Sequence, residues 1–198
     1  MDEFSSIRKF IFQFVPYTEE EWKAHQGALT RRWLKKGEFL LTEGQVCDHV
    51  SFINKGYFRT YNMVYDEERT QFLAFENEYT TDYCSFVTRK PSRDNIIAME
   101  DAEVLQLEYN AMQKLYEKYA VWQKFGRLIA EYVFVFTAYR SQDLLLRTPE
   151  ELYLQLMQEK PFILERVPLK YVASYLGITP EALSRIRKRL SQKPDPAG

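Results

Sequence analysis

The stretch from Pro168 to Leu190, PLKYVASYLGITPEALSRIRKRL, constrains the fold more than any other part of the chain. Two short amphipathic segments meet at Gly177. The first sets Val172 and Leu176 four residues apart with Ala173 beside them, and the second sets Leu183 and Ile186 three apart, so each presents one apolar face. Gly177 suits the positive φ that ends a helix, Ile178 plugs the corner, and Thr179 followed by Pro180 reads as an N-cap and first helical position. The small Ala173 lets the two backbones approach. The pattern predicts a helix-turn-helix.

The polar residues of the second helix leave its apolar stripe. Arg185 is suited to a bidentate contact with guanine, Glu181 to accepting from cytosine and Ser184 to either, whereas Arg187, Lys188 and Arg189 are suited to phosphates. Thr179 at the cap and Lys170 on the first helix complete the expected contact set, with Tyr171 and Arg166 nearby. The alternative is an ordinary helical hairpin with a solvated basic face; the small residue, glycine, corner isoleucine, cap and outward arginine together favour a reader of double-stranded DNA.

Charge is divided in the same sense. The chain carries a net charge of −1, but Glu43 to Glu108 holds thirteen acidic residues against six basic ones, while Arg166 to Lys193 holds seven basic residues against Glu181 alone. At 198 residues and 45% hydrophobic content the chain is long enough to bury a core. It has no run of eighteen apolar residues, and MDEFSSIRKF lacks the basic-then-apolar order of a signal peptide, so the expected compartment is the cytoplasm with no membrane partner. Cys47 and Cys84 lack a CxxC partner, and His25 and His49 have no metal-ligand spacing, which predicts reduced thiols, no metal and no iron–sulfur cluster. A Gly-rich phosphate loop and a nucleophile–base pair are also missing from the pattern, so no catalytic residues are expected and the carboxylates read as a solvated acidic surface.

Upstream, Phe4, Ile7, Phe10, Ile11 and Phe14 recur at helical spacing, and Thr18 before Glu19 to Glu21 reads as the cap of a second helix reaching about His25. From Arg31 to Leu107 the period becomes alternating. Strands are predicted at 31–34, 39–41, 49–54, 56–62, 68–75, 95–98 and 102–108, with breaks at Lys36-Gly37, Glu43-Gly44-Gln45, Lys55-Gly56 and Tyr65-Asp66-Glu67.

Within that half, Lys36-Gly37-Glu38-x-Leu40-x-x-Glu43-Gly44-x-x-x-Asp48, followed by Phe52-Ile53-x-x-Gly56-x-x-Arg59, resembles the cyclic nucleotide-binding β-roll. Joined to the helix-turn-helix, it makes the chain similar to the cyclic AMP receptor protein/FNR (Crp/Fnr) family of bacterial transcription regulators over residues 30 to 190. The resemblance implies an α+β fold: an antiparallel jelly-roll-like β-roll with flanking helices, a long dimerisation helix, and a small, mainly helical DNA-binding domain. It also implies a homodimer on a palindromic site, with RNA polymerase as a candidate further partner.

The family's phosphate-binding cassette, a Gly-Glu pair starting a short helix and then an arginine and a small residue, is not reproduced. The corresponding stretch, Phe75 to Ala98, has no glycine; the arginine position falls on Ser92; and Glu76, Glu78 and Asp82 would repel a phosphate. Cyclic AMP is therefore not expected as a cofactor. The alternative is a sensor of a non-nucleotide small molecule, with Tyr79, Tyr83, Arg89 and Arg93 as the candidate ligand-binding residues.

From Asn110 to Leu146 the helical period returns, with Asn110 as the expected cap. Phe125, Ile129, Tyr132, Phe136 and Tyr139 run at steps of four, three, four and three, with Leu128, Val133 and Val135 on the flanks. That is more apolar surface than one contact face needs, and it predicts pairing with the same helix of a second subunit. Thr148-Pro149-Glu150-Glu151 starts the next helix. The domains expected are 1–109 for the N-terminal helices and β-roll, 110–147 for the connecting helix and 148–198 for the helix-turn-helix. SQKPDPAG after Leu190 is too short to add further strands.

Overall fold

The computed structural model describes residues 3–192, and the expectation for the tail beyond Gln192 lies outside the described residues. The chain divides into two compact units. One holds the residues up to Asn62 together with Gln71–Val133, and the other holds Met63–Thr70 and the chain from Phe134 onward.

In the first unit, α1 (Ser5–Phe12) and α2 (Glu19–Ala28) precede the strands. A capping box starts α2: the Thr18 hydroxyl accepts from the Glu21 amide at 3.2 Å and the Glu21 carboxylate accepts from the Thr18 amide at 2.7 Å. Then follow β1 (Leu29–Leu34), β2 (Phe39–Leu41), β3 (His49–Lys55), β4 (Phe58–Val64), β5 (Glu67–Ala74), β6 (Tyr79–Thr80), α3 (Tyr83–Thr88), β7 (Asn95–Ala98) and β8 (Ala102–Glu108). They form two four-stranded sheets, ordered β1-β8-β3-β6 and β2-β7-β4-β5. The predicted antiparallel β-roll is therefore present.

Strand alternation sends successive side chains to opposite faces, and each face has its own core. Ile53 and Val104 point between the sheets, where they meet Leu34, Leu41, Phe58, Phe86 and Ile96. Phe52 and Leu105 point the other way, into a cluster with Ile7, Ile11, Trp22, Leu115 and Trp122 from the flanking helices.

The expected single helix from Asn110 is instead two, α4 (Tyr109–Lys118) and α5 (Ala120–Leu146), broken at Tyr119, which is extended at φ −131° and ψ 114°. The cap is Glu108, whose carboxylate accepts from the Ala111 amide at 3.1 Å, rather than Asn110. Packing accounts for the break. Both Leu115 and Trp122 enter the helix-side core, and the Tyr116 ring lies so close over Gly126 that an added Cβ would sit 2.2 Å from its hydroxyl. No sequence period records that approach.

The second unit takes the rest of α5, then α6 (Pro149–Glu159), α7 (Ile163–Arg166), α8 (Leu169–Tyr175) and α9 (Pro180–Ser191). Thr148 and Glu151 form a second capping box, with Pro149 in the first turn. Leu152, Tyr153, Leu156, Ile163, Val167, Val172, Ala173, Leu176, Leu183 and Ile186 are buried apolar residues within it. No helix among the described residues is long and apolar enough to cross a membrane.

Candidate nucleic-acid interface

The corner between α8 and α9 is closed by backbone geometry. Gly177 has φ +73°; its amide donates to the Ser174 carbonyl at 3.0 Å and the Ile178 amide to the Ala173 carbonyl at 3.0 Å, the paired bonds of a Schellman cap. Two residues on, the Thr179 hydroxyl accepts from the Ala182 amide at 3.3 Å and starts α9. Val172 and Ala173 on α8 and Leu183 on α9 are fully buried. These contacts fix the direction of α9 and leave its other side in solvent.

On that side Glu181, Ser184, Arg185 and Lys188 are all exposed, and their spacing of three, four and seven residues places them along one line of the helix. Arg187 and Arg189 occupy the two flanks. Arg187, with Lys188, borders a groove that also includes Tyr153 and Leu190. Arg189 is ion-paired with Glu150 of α6, so the tertiary structure already commits one of the expected phosphate cations to an internal contact. Glu181 is held at the helix start by its own amide and the Thr179 hydroxyl; with Arg185 nearby, these keep its carboxyl below the usual range. Lys170 is exposed and its ammonium lies 4.7 Å from the centre of the Tyr171 ring.

Two contacts that periodicity does not reveal brace α8. The Ser174 hydroxyl accepts from the Thr70 amide at 2.8 Å and donates to the Glu68 carbonyl at 3.3 Å, tying α8 to the first residues of β5. The Arg140 side chain of α5 donates to the Tyr175 carbonyl and stacks 3.8 Å from the Tyr175 ring centre.

The apolar line on α5 divides. Phe125 is half-buried and packs edge-on against Phe14 and Trp122, at 5.9 and 6.3 Å between ring centres, and Ile129 is also half-buried. Tyr132, Phe136 and Tyr139 remain 59%, 45% and 64% exposed, with Val135 on the same side at 49%. Phe125 thus serves the chain's own helix-side core, and the outward face begins farther along.

The four candidate ligand residues of the β-roll do not converge. Tyr79 packs edge-on against Phe10 and Phe52 on the helix-facing side of its sheet, and burial pushes its phenol far above the ordinary range. Tyr83 stands in the first turn of α3, a third exposed, and Arg93 is exposed. Arg89, in the left-handed conformation at the end of α3, donates to the Cys47 and Phe86 carbonyls, pairs with Asp48 and lies over the Tyr109 ring. Asp82 caps α3 by accepting from the Ser85 amide at 3.0 Å, and Ser92 donates to the other oxygen of Asp82 at 2.7 Å.

A two-sheet roll followed by a long helix and a helix-turn-helix defines a class of protein, and comparison with known proteins agrees with it. Residues 31–119 match the family model described as cyclic nucleotide-binding domain, and no curated protein matches the sequence. Among solved structures, the catabolite activator protein of Thermus thermophilus is similar at 20% identity over 90% of this chain and 86% of its own, with a TM-score of 0.55. A CooA double mutant from Carboxydothermus hydrogenoformans is similar at 15% identity over 92% and 83%, with a TM-score of 0.68. A transcriptional regulator from Eubacterium rectale assigned to the Crp/Fnr family is similar at 14% identity over 90% and 88%, also with a TM-score of 0.68. Residues 31–119 are thus similar to a cyclic nucleotide-binding domain, and the chain has the fold of solved Crp/Fnr transcription regulators.

Proposed function

We propose that the protein is a sequence-specific transcription regulator that binds duplex DNA as a homodimer, placing two copies of α9 in successive major grooves about 34 Å apart on a roughly palindromic site. The observation that carries this reading is the exposed line Glu181, Ser184, Arg185 and Lys188 on a helix whose direction is set by the Gly177 cap and the Thr179 bond. Its N-terminal residues select bases, and Arg187, Lys188 and Lys170 hold phosphates. Selection of bound sequences from random duplex tests the reading directly: an inverted repeat whose half-sites are one helical turn apart is expected, and recovery of no preferred sequence would overturn it.

The regulator does not respond to cyclic AMP. The short helix that would face a cyclic phosphate is capped by the chain's own carboxylate, Asp82, and Ser92 donates to that carboxylate. An incoming phosphate would meet a negative charge in place of free amides. Titration calorimetry with cyclic AMP and cyclic GMP is expected to give no saturable heat at millimolar ligand; a micromolar Kd for either would reverse this part of the reading.

A further inference from the structure

The β-roll contains a cleft of about 420 Å³ at the end of the space between its sheets, bounded by Leu41 and Ile96 on one side and by Ser51, Thr80 and Gln106 on the other. That volume lies in the range of small-molecule sites. The polar side is ordered by strand register. Ser51 of β3 stands directly opposite Thr80 of β6 and directly opposite Gln106 of β8, so the three belong to one row across three adjacent strands and face the same way. All three are more than nine-tenths buried. Ile53 and Val104, which point to the same side, carry the apolar core between the sheets, so the row replaces core residues with hydrogen-bonding ones.

Those groups are only partly used within the protein. The Gln106 amide donates to the Ser51 hydroxyl at 3.2 Å, which leaves the second N–H and the carbonyl oxygen of the amide and the Ser51 proton. Thr80 lines the cleft beside them and takes no part in the Gln106–Ser51 bond. Neither lysine nor arginine lines the space. Asp48, at the rim, is already neutralised by Arg89. With an apolar wall, neutral donors and acceptors, the Asp48 carboxylate and His49 as the one basic side chain among its lining residues, the site fits an uncharged ligand better than an anion.

We infer that the Ser51–Thr80–Gln106 row is a binding site for an uncharged small molecule rich in hydroxyl or amide groups, whose apolar part lies against Leu41 and Ile96. No residue from Asp82 to Arg93 lines the site, although Ser85 and Arg89 bond to its lining residues Cys47 and Asp48, and the inference does not depend on DNA reading by α9.

The test is a set of matched probes on the full chain, followed by the backbone amide resonances of Ser51, Thr80, Ile96 and Gln106 and the methyl resonances of Thr80 and Ile96. The pairs are D-glucose with D-glucose 6-phosphate, thymidine with thymidine 5′-phosphate, and nicotinamide with nicotinate. At least one neutral member is expected to shift these resonances saturably, with its anionic partner at least about tenfold weaker. Thr80→Val, which preserves shape, and Gln106→Leu are each expected to weaken that probe about tenfold or more while the melting temperature is retained. The inference is overturned if none of the neutral probes shifts the row, if the anions bind equally well, or if both folded variants bind as the parent does. DNA selection on the parent chain is read separately, so either result can fail alone.

Discussion

Arg185 and Arg187 differ by only two positions, yet the helix sends them to different places. Arg185 lies on the outward line with Glu181 and Ser184, whereas Arg187 sits on the flank that borders Tyr153. Arg185→Ala is expected to cost about 1–3 kcal/mol on the preferred site and to relax preference at one base position. Arg187→Ala is expected to weaken all sequences alike and to lower the salt slope by about one unit. Binding measured by fluorescence anisotropy on matched and mismatched duplexes at several salt concentrations separates the two roles. A second residue-level consequence concerns His25, which is buried with its ring stacked 4.6 Å from Trp122, and whose Nδ1 has no hydrogen-bond partner. Burial lowers its pKa from 6.5 to about 4, so the unfolded chain takes up this proton more readily than the folded one. The stability contributed by neutral His25 is therefore complete above pH 6.5 and is lost as pH falls from there toward 4, by up to about 1.4 kcal/mol per pH unit. Chemical denaturation between pH 7 and 4 measures this, and His25→Phe is expected to flatten the profile across that window.

At the scale of elements, capping decides where helices begin. The Thr148 box lies just before α6, whose Leu152, Tyr153 and Leu156 support the buried side of the helix-turn-helix unit. Thr148→Ala removes the acceptor for the Glu151 amide and the hydroxyl that donates to the Glu151 carboxylate. A loss of about 1 kcal/mol is expected in a denaturant titration. Replacement by Ser restores most of it. Both capping boxes and the Thr179 cap were readable from sequence because a cap is a local event: a short polar side chain bonds an amide three residues away. The break at Tyr119 was not readable, because it serves contacts between Leu115, Trp122 and the Tyr116–Gly126 approach, and those depend on where α4 and α5 pack. Similarly, β6 has two residues, too few to show alternation, and exists through its pairing with Ser51 and Phe52.

For the whole molecule, assembly is the main question. Tyr132, Phe136 and Tyr139 leave large apolar surface in solvent along α5, which a second copy of the helix is suited to cover. The parent is expected to sediment as a dimer, and the double variant Phe136→Glu/Tyr139→Glu as a monomer at the same concentration. Its α9 would remain intact, so single half-sites would still be bound, but the gain from joining two half-sites on one duplex, on the order of 10²-fold or more, would be lost. Unchanged sedimentation of that variant, or a monomeric parent, would remove α5 as the pairing surface.

The order of elements, the two-sheet roll and the outward face of α9 follow from information carried within a few residues: alternation, helical spacing, glycine at a corner and oxygen at a cap. The tertiary structure decided what long-range packing controls. It turned Phe125 inward against Phe14 and Trp122, committed Arg189 to Glu150, separated Tyr79 from Arg89 and Arg93, and aligned Ser51, Thr80 and Gln106 across three strands. A side chain's local pattern shows which way it can point, whereas its partner there comes from a distant part of the chain and is fixed only when the sheets and helices close on one another.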